Sequence, residues 1–124
     1  MLKRLDRLDV ATSDLADAAS IYEKNFGFTV TRAADGRSAS VRVGGAEIRL
    51  ASGAEVSAAL AQSGEGMIAL WLEADDVDQV AGAMRAAGLD TAPVRIDKDT
   101  GRRILAIDPA VSSQVPLFIF DRRV

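Results

Sequence analysis

The side chains that could carry chemistry in this chain are carboxylates, arginines, lysines, one tyrosine and hydroxyls, because its 124 residues include no histidine and no cysteine. Histidine is the commonest metal ligand and the usual acid or base near neutral pH. Without it, a bound metal would need oxygen ligands, and proton transfer would fall to Asp, Glu, Lys, Tyr, Ser or Thr. A Ser-His-Asp hydrolase is excluded outright. Neither Gly44-Gly45 nor Gly64-Glu65-Gly66 has the strand-to-helix context of a phosphate loop.

The composition is that of an acidic chain able to form a core. Hydrophobic residues make up 48% of it and the net charge is -3. A single domain of this composition can bury a hydrophobic core without disulfide cross-links. An acidic chain with 5% aromatic residues predicts no nucleic-acid partner. Charges interrupt the N-terminal MLKRLDRLDVATSD, and no apolar run approaches the roughly 18 residues that span a bilayer. We therefore expect no membrane partner, and the lack of cysteine favours the cytoplasm.

One structural unit occurs twice in the sequence. LDRLDVATSDLADAASIYEKNFG and MIALWLEADDVDQVAGAMRAAG align without a gap through a strand and most of a helix when Asp14 is set against Asp76. Each aspartate is predicted to cap a helix, which Gly27 or Gly88 then ends. Between them, apolar residues recur at the spacing of one helix face, namely Leu15, Ala18, Ala19, Tyr22 and Phe26, then Val77, Val80, Ala81 and Met84.

Three strands are predicted to follow each helix. Residues 28–34, 38–43 and 46–52 follow the first, with turns at Asp35-Gly36 and Gly44-Gly45; residues 91–97, 102–108 and 115–120 follow the second. The order predicts an α+β fold of two tandem βαβββ modules. We expect a single domain over 1–124, with module one at 1–52, a connector with a helical turn at 53–65, and module two at 66–124.

The two modules, and above all the N-terminal strand followed by SDL and YEKNFGF, resemble the vicinal oxygen chelate superfamily of glyoxalase I, bleomycin-resistance proteins and extradiol dioxygenases. The resemblance covers nearly the whole chain. It implies half-barrels around a cleft and a homodimer. In the metal-dependent members, ligands lie on the first and last strand of each module, and are usually histidine and glutamate.

By position, the resemblance transfers these ligands to Arg7, Arg49, Ala69 and a phenylalanine, Phe118 or Phe120. A guanidinium stays protonated and has no lone pair to give, and alanine and phenylalanine have no donor atom. We therefore predict no metal site and no cofactor. Strand alternation adds neighbours that share the cleft with these positions: Arg7, Asp9, Glu47 and Arg49 from module one, and Ala69, Trp71, Glu73, Phe118 and Phe120 from module two.

Two interpretations of these residues remain open. In one, Arg7 or Arg49 binds an oxygen of a flat ligand that stacks on Trp71 and the phenylalanines. In the other, the charged residues form a self-satisfied ion network and the aromatics fill the core. Tyr22 is predicted to be a core residue and Glu73 a solvated rim residue. The charge run Asp97, Lys98, Asp99, Arg102 and Arg103 is interpreted as a solvated hairpin tip.

Three functions are compatible with these residues. The first is a metal-independent small-molecule binding or sequestering protein of the glyoxalase/bleomycin-resistance type, with a small planar ligand and no catalytic residue. The second is a structural or regulatory dimer with a filled cleft. The third is a metal-free enzyme that uses Asp9, Glu47 or Glu73 as base and an arginine as oxyanion clamp. Adjacent arginines would lower the pKa of such a base, which disfavours the enzyme.

Overall fold

The computed structural model describes residues 2–98, 100–113 and 115–123. The helices are α1 (Leu15–Phe26), α2 (Ser57–Ser63) and α3 (Val77–Ala86), and short 3₁₀ turns lie at Ala54–Val56 and Pro109–Val111. None of the described helices is long and apolar enough to cross a membrane. The strands are β1 (Leu2–Ala11), β2 (Val30–Arg32), β3 (Ser38–Val43), β4 (Ala46–Ala51), β5 (Gly66–Ala74), β6 (Arg95–Ile96), β7 (Arg103–Ile107) and β8 (Leu117–Asp121).

The predicted order of strand, helix and three strands is present twice, which confirms the α+β fold of two βαβββ modules. The described residues form two compact units. We call residues 7–68 the first unit, and residues 2–6 with the described residues from 69 onward the second unit. The connector contains a 3₁₀ turn and α2, which is more helix than its predicted single turn.

In the first unit, the strands lie in the order β2-β3-β4-β1, and β1 runs parallel to β4. The register sets Arg7 opposite Glu47 and Asp9 opposite Arg49, so these four side chains share one face, as predicted. The other face is apolar, with Val41 and Leu50 both 1% exposed. Helix α1 contacts β2, β3 and β4, and Ala19 on that helix is fully buried.

In the second unit, the order is β5-β8-β7-β6, with β5 parallel to β8. Trp71 lies opposite Phe118 and Glu73 opposite Phe120, so the aromatic residues share one face. The opposite face packs against α3 and forms the core of this unit. Its buried members are Ala74, Val77, Val80, Ala81, Leu105, Ile107 and Ile119.

The helix N-termini make the capping hydrogen bonds that the sequence predicts. The Asp14 side chain accepts a hydrogen bond from the Asp17 N–H at 3.0 Å, and the Asp76 side chain accepts one from the Asp78 N–H at 2.9 Å. Gly27 ends α1 with a φ of 68°, a left-handed conformation that favours glycine. These local rules explain why both helices begin where the sequence predicts them and why α1 ends at Gly27. Helix α3 ends at Ala86 with Ala87 as its C-cap, one residue before the predicted Gly88.

One predicted apolar position on α1 is not buried. Phe26 is 61% exposed, and its ring stacks on Phe28 with centroids 5.6 Å apart. Tyr22, predicted to be core, is half-buried and touches both rings. Strand β2, which follows this end of the helix in the chain, has only three residues, Val30–Arg32, instead of the predicted seven.

Candidate functional site

The first unit has a polar pocket on the face that carries Arg7 and Arg49. Its volume is about 270 Å³. Its polar lining comes from β1, β2, β3 and β4, and consists mainly of Arg7, Thr31, Ser38, Ser40, Glu47 and Arg49. The structure therefore brings together three of the four residues predicted from module one. Asp9, the fourth, is 7% exposed and pairs with Arg7.

Three arginines line the polar pocket, Arg7, Arg32 and Arg49, and each of them already holds a carboxylate. The Arg7 Nε lies 2.9 Å from an Asp9 oxygen, at an angle too bent for a hydrogen bond, and Arg7 Nη2 donates to the other oxygen at 3.4 Å. Arg49 donates two hydrogen bonds to Glu55, at 2.9 and 3.2 Å. These bonds raise the pKa of Arg49 and lower the pKa of Glu55. All three cations are positioned, and none needs a ligand for charge balance.

Glu47 differs from the other acids of the polar pocket. It is half-buried and lines the pocket. Within the part of the chain that the structure describes, its carboxylate makes no hydrogen bond and no ion pair. It lies opposite Arg7 on β1 and opposite Arg42 on β3. Glu47 is therefore the carboxylate of the described lining that is open to a ligand.

Sequence reasoning missed several residues of the polar pocket. Ser38 and Ser40 alternate along β3, and the antiparallel register sets Ser40 opposite Arg49, so a correct hairpin register would have found them. Glu55, the partner of Arg49, lies in the connector, where no site residue is predicted. The neighbouring sequence does not predict the ion pair between Glu55 and Arg49, because that pair depends on where the 3₁₀ turn places the Glu55 side chain.

The second unit presents an aromatic row, formed by Trp71, Phe118 and Phe120. The rings of Trp71 and Phe118 stack with centroids 4.5 Å apart and planes at 17°, and Phe120 lies 6.5 Å from Trp71 at 60°. Phe120 is 1% exposed, whereas Trp71 and Phe118 are half-buried. Ala69 shares this face but is 6% exposed, so it offers no open surface. The row lies on the face opposite the α3 core, so Trp71 and Phe118 are not part of that core.

Glu73 is not the solvated rim residue predicted from the sequence. It is 4% exposed and accepts from Arg4 Nε at 2.9 Å, with Arg122 Nε at 3.3 Å and Lys3 Nζ at 3.9 Å. Burial alone would raise the pKa of Glu73, but the arginines outweigh it and hold the pKa below its usual value. A base would need the opposite shift, so Glu73 is a structural acid.

The charge run also departs from the prediction of a solvated hairpin tip. Asp99 lies outside the described residues. Arg103 turns inward, where its guanidinium donates to Asp76, Asp78 and the fully buried Asp121. These bonds raise the pKa of Arg103, with Asp121 the largest cause. Arg103 is therefore a half-buried cation that connects β7 with α3 and β8, and it is not a solvated tip residue.

Comparison with known proteins agrees with this arrangement of modules. The Glyoxalase/Bleomycin resistance protein/Dioxygenase superfamily profile matches residues 4–110. No curated protein matches the sequence. Methylmalonyl-CoA epimerase from Mycobacterium tuberculosis is a similar solved structure, with a TM-score of 0.76, 21% identity, and coverage of 99% of this chain and 90% of that one.

Two further solved structures show the same similarity. One is a methylmalonyl-CoA epimerase variant from Streptomyces coelicolor in complex with 2-nitronate-propionyl-CoA, with a TM-score of 0.75, 22% identity, and coverage of 98% of this chain and 95% of that one. The other is a hypothetical protein from Bacillus halodurans, with a TM-score of 0.77, 12% identity and the same coverage of 98% and 95%. The chain belongs to the Glyoxalase/Bleomycin resistance protein/Dioxygenase superfamily.

The residues present do not fit the metal site of the family's metalloenzymes. Arg7 and Arg49 hold carboxylates with protonated guanidinium groups, and Ala69 and Phe118 have no donor atom. Within residues 2–98, 100–113 and 115–123, no three acidic side chains are grouped so that they could hold a metal ion.

We predict that tag-free protein contains no stoichiometric zinc, nickel, iron or manganese. The physical reason is the donor chemistry of the four positions, two of them cationic. Elemental analysis by mass spectrometry, normalised to protein concentration, checks this. A metal present at one equivalent per chain and retained through gel filtration would contradict it.

Proposed function

We propose that the chain is a small-molecule-binding or sequestering protein that holds a planar ligand on the aromatic row without a metal ion. The observation that carries the proposal is the half-buried Trp71, stacked on Phe118 at 4.5 Å on the sheet face that the α3 core does not use. Ligand sites are mostly apolar and aromatic with few polar anchors. A stacked indole that is neither core nor fully exposed matches that description.

The stacking geometry supports a planar ligand over an aliphatic one. Trp71 and Phe118 lie nearly parallel, so together they form one extended flat surface. Offset stacking of a further ring on such a surface gains about 0.5–1.5 kcal/mol beyond the area that it buries. Phe120 beneath them is almost fully buried, which fixes the position of the surface.

Fluorescence tests the proposal, because Trp71 is the only tryptophan of the chain. Chelator-treated protein is titrated with aromatic acids, quinones and planar antibiotics, and free N-acetyltryptophanamide is the control for light absorbed by the ligand. We expect at least one class to change the emission saturably. Unchanged emission with every class, beyond that control, would count against the proposal.

A second candidate function is proton abstraction next to a carbonyl group, with Glu47 as base. Glu47 has no bonding partner within the described residues, and it shares the polar pocket with Arg7 and Arg49. Guanidinium groups near a developing enolate oxygen would stabilise its charge. Solved structures of the same fold include methylmalonyl-CoA epimerases, one of them in complex with methylmalonyl-CoA.

Isotope exchange distinguishes this enzyme from a binding protein. If Glu47 is the base, methylmalonyl-CoA in deuterated buffer acquires deuterium at C2 faster with the protein than without it. Glu47→Gln should then slow exchange by about 10²–10⁴-fold, and Asp17→Asn, which changes an exposed acid in the first turn of α1, should not. Exchange no faster than in buffer, measured by NMR, removes this substrate from the second candidate.

We also propose that the chain forms a homodimer. The family resemblance implies it, and in the first unit Ile21, Phe26 and Val43 are apolar residues exposed by 43%, 61% and 44%. Apolar surface of this kind is a common feature of subunit interfaces. Light scattering at micromolar concentration should give twice the mass of one chain. A single-chain mass across the concentration range would contradict the proposal.

A further inference from the structure

A cavity of the second unit lies next to the aromatic row. It has a volume of about 330 Å³ and is lined by Thr100, Gly101, Arg102, Arg122 and Arg123. We call it the arginine cavity. Of the lining residues that the structure describes, three carry a guanidinium group and none carries a carboxylate.

Two of these arginines are also bound to the row itself. The guanidinium carbon of Arg102 lies 4.8 Å from the centroid of the Phe120 ring, and that of Arg122 lies 5.7 Å from the same centroid. Since Phe120 is 1% exposed, its ring is a fixed base for both cations. The arginine cavity therefore continues the surface on which Trp71 and Phe118 stack.

The three arginines differ in their ionic partners. Arg122 pairs with Asp6 and Glu73, and Arg123 pairs with Asp76. Arg102 is half-buried, yet its guanidinium has no carboxylate partner among the residues that the structure describes. Buried or half-buried cations are usually paired, so a positioned guanidinium facing a cavity is poised for an external anion.

We infer that the arginine cavity binds the phosphate group of a phosphorylated ligand, with Arg102 as the principal contact. The planar fork of a guanidinium matches two oxygens of a phosphate at once, and stacking on Phe120 orients that fork in advance. The cavity volume and its three guanidinium groups are larger than a single carboxylate group requires. They suit the greater size and charge of a phosphate ester or diphosphate. The inference rests on the proposed function, because the planar part of the same ligand would stack on the aromatic row.

A purely structural role for Arg102 makes a different prediction. In that case the guanidinium only covers the edge of the Phe120 ring, its charge stays with water, and no anion binds at the cavity. Removing Arg102 would then change stability but no binding isotherm. Affinity for a phosphate probe therefore separates the two roles.

Calorimetric titration with inorganic pyrophosphate at low ionic strength tests the inference. We expect saturable binding to the full chain, and Arg102→Gln should weaken it by about tenfold or more, the loss of charge-assisted bonds from one guanidinium. The matched control is Arg85→Gln, which removes the same charge from the exposed surface of α3 in the same unit, and should change affinity by less than about twofold.

A third variant keeps the experiment informative if Arg102→Gln folds poorly. Arg102→Lys retains the charge but not the planar fork, and we expect it to bind pyrophosphate more weakly than the unmodified chain. The absence of saturable binding overturns the inference. Equal losses in Arg102→Gln and Arg85→Gln overturn it as well, because they would show only attraction by overall charge.

The two proposals fail in distinguishable ways. Pyrophosphate has no planar group, so its binding tests the arginine cavity without the aromatic row. If planar compounds change Trp71 emission and pyrophosphate does not bind, the phosphate site is wrong and the proposed function stands. If pyrophosphate binds through Arg102 and no planar compound changes the emission, the anion site stands and the stacking function is wrong.

Discussion

Replacing Asp121 with alanine is expected to lower the free energy of unfolding by about 1–3 kcal/mol, the usual cost of leaving a buried hydrogen-bond donor without its acceptor. Asp121 ends β8 and is fully buried. Its carboxylate accepts hydrogen bonds from Arg103 and from the backbone N–H of Val77, the first residue of α3, at 2.8 Å. The substitution removes the acceptor of the Val77 N–H at the helix N-terminus. It also removes one of the three described acceptors of Arg103, which keeps Asp76 and Asp78.

Denaturant titration measures this loss, and Asp78→Ala is the matched control. Asp78 also accepts a bond from Arg103, but its side chain is 63% exposed, so its removal should cost less than about 1 kcal/mol. Circular dichroism establishes that both variants are folded before they are compared. Equal losses in the two variants would contradict a buried, stabilising role for Asp121.

The same carboxylate gives the stability a defined pH dependence. Burial alone would raise the pKa of Asp121, but the bonds from Arg103, Val77 and Arg123 outweigh it and hold the pKa below its ordinary 3.8. A carboxyl group with a lowered pKa in the folded state stabilises the fold above its unfolded pKa. We therefore expect this contribution to be complete above about pH 5 and to disappear as the pH falls below about 4. Asp121→Asn should remove most of that dependence.

Replacing Trp71 with alanine is expected to weaken the binding of a planar ligand by about 1–3 kcal/mol, or about 5- to 150-fold in the dissociation constant. The substitution removes one of the two stacked rings that form the flat surface. Because this variant has no tryptophan, its affinity must be measured by calorimetry or from the ligand's own absorbance. Trp71→Phe should retain much of the affinity, since a smaller ring can still stack.

Phe26→Ala is the control for the general loss of an aromatic side chain. Phe26 belongs to the first unit, is 61% exposed and stacks on Phe28, so its removal should leave ligand affinity unchanged. If Trp71→Ala and Phe26→Ala have the same affinity as the unmodified chain, the ligand does not stack on the aromatic row.

The sequence predicts the parts of the fold that depend on near neighbours. Asp14 and Asp76 cap the helices, and Gly27 ends α1, because capping depends only on the adjacent turn. Arg7 and Arg49 share a face, as do Trp71 and Phe118, because strand alternation has a period of two. These rules also place the residues of the candidate site on the correct strands.

The sequence does not predict which charges become buried. Glu73 is buried because Lys3, Arg4 and Arg122 reach it from distant positions in the chain, and Arg103 is held by Asp121 in the same way. From the neighbouring sequence alone, a charged residue is expected to be solvated, because the ionic partners that allow its burial lie elsewhere in the chain. Ion pairs between residues distant in the sequence thus explain why Glu73 and Arg103 are not solvated.

The indole N–H of Trp71 provides the most direct measurement of metal-free ligand binding on the aromatic row. One tryptophan gives one indole cross-peak in a proton–nitrogen correlation spectrum. With chelator present, titration with a planar compound that binds the protein should move this peak saturably, with the same dissociation constant as calorimetry. A compound that binds while the peak stays in place, or a shift that requires an added divalent metal, would contradict the proposed site.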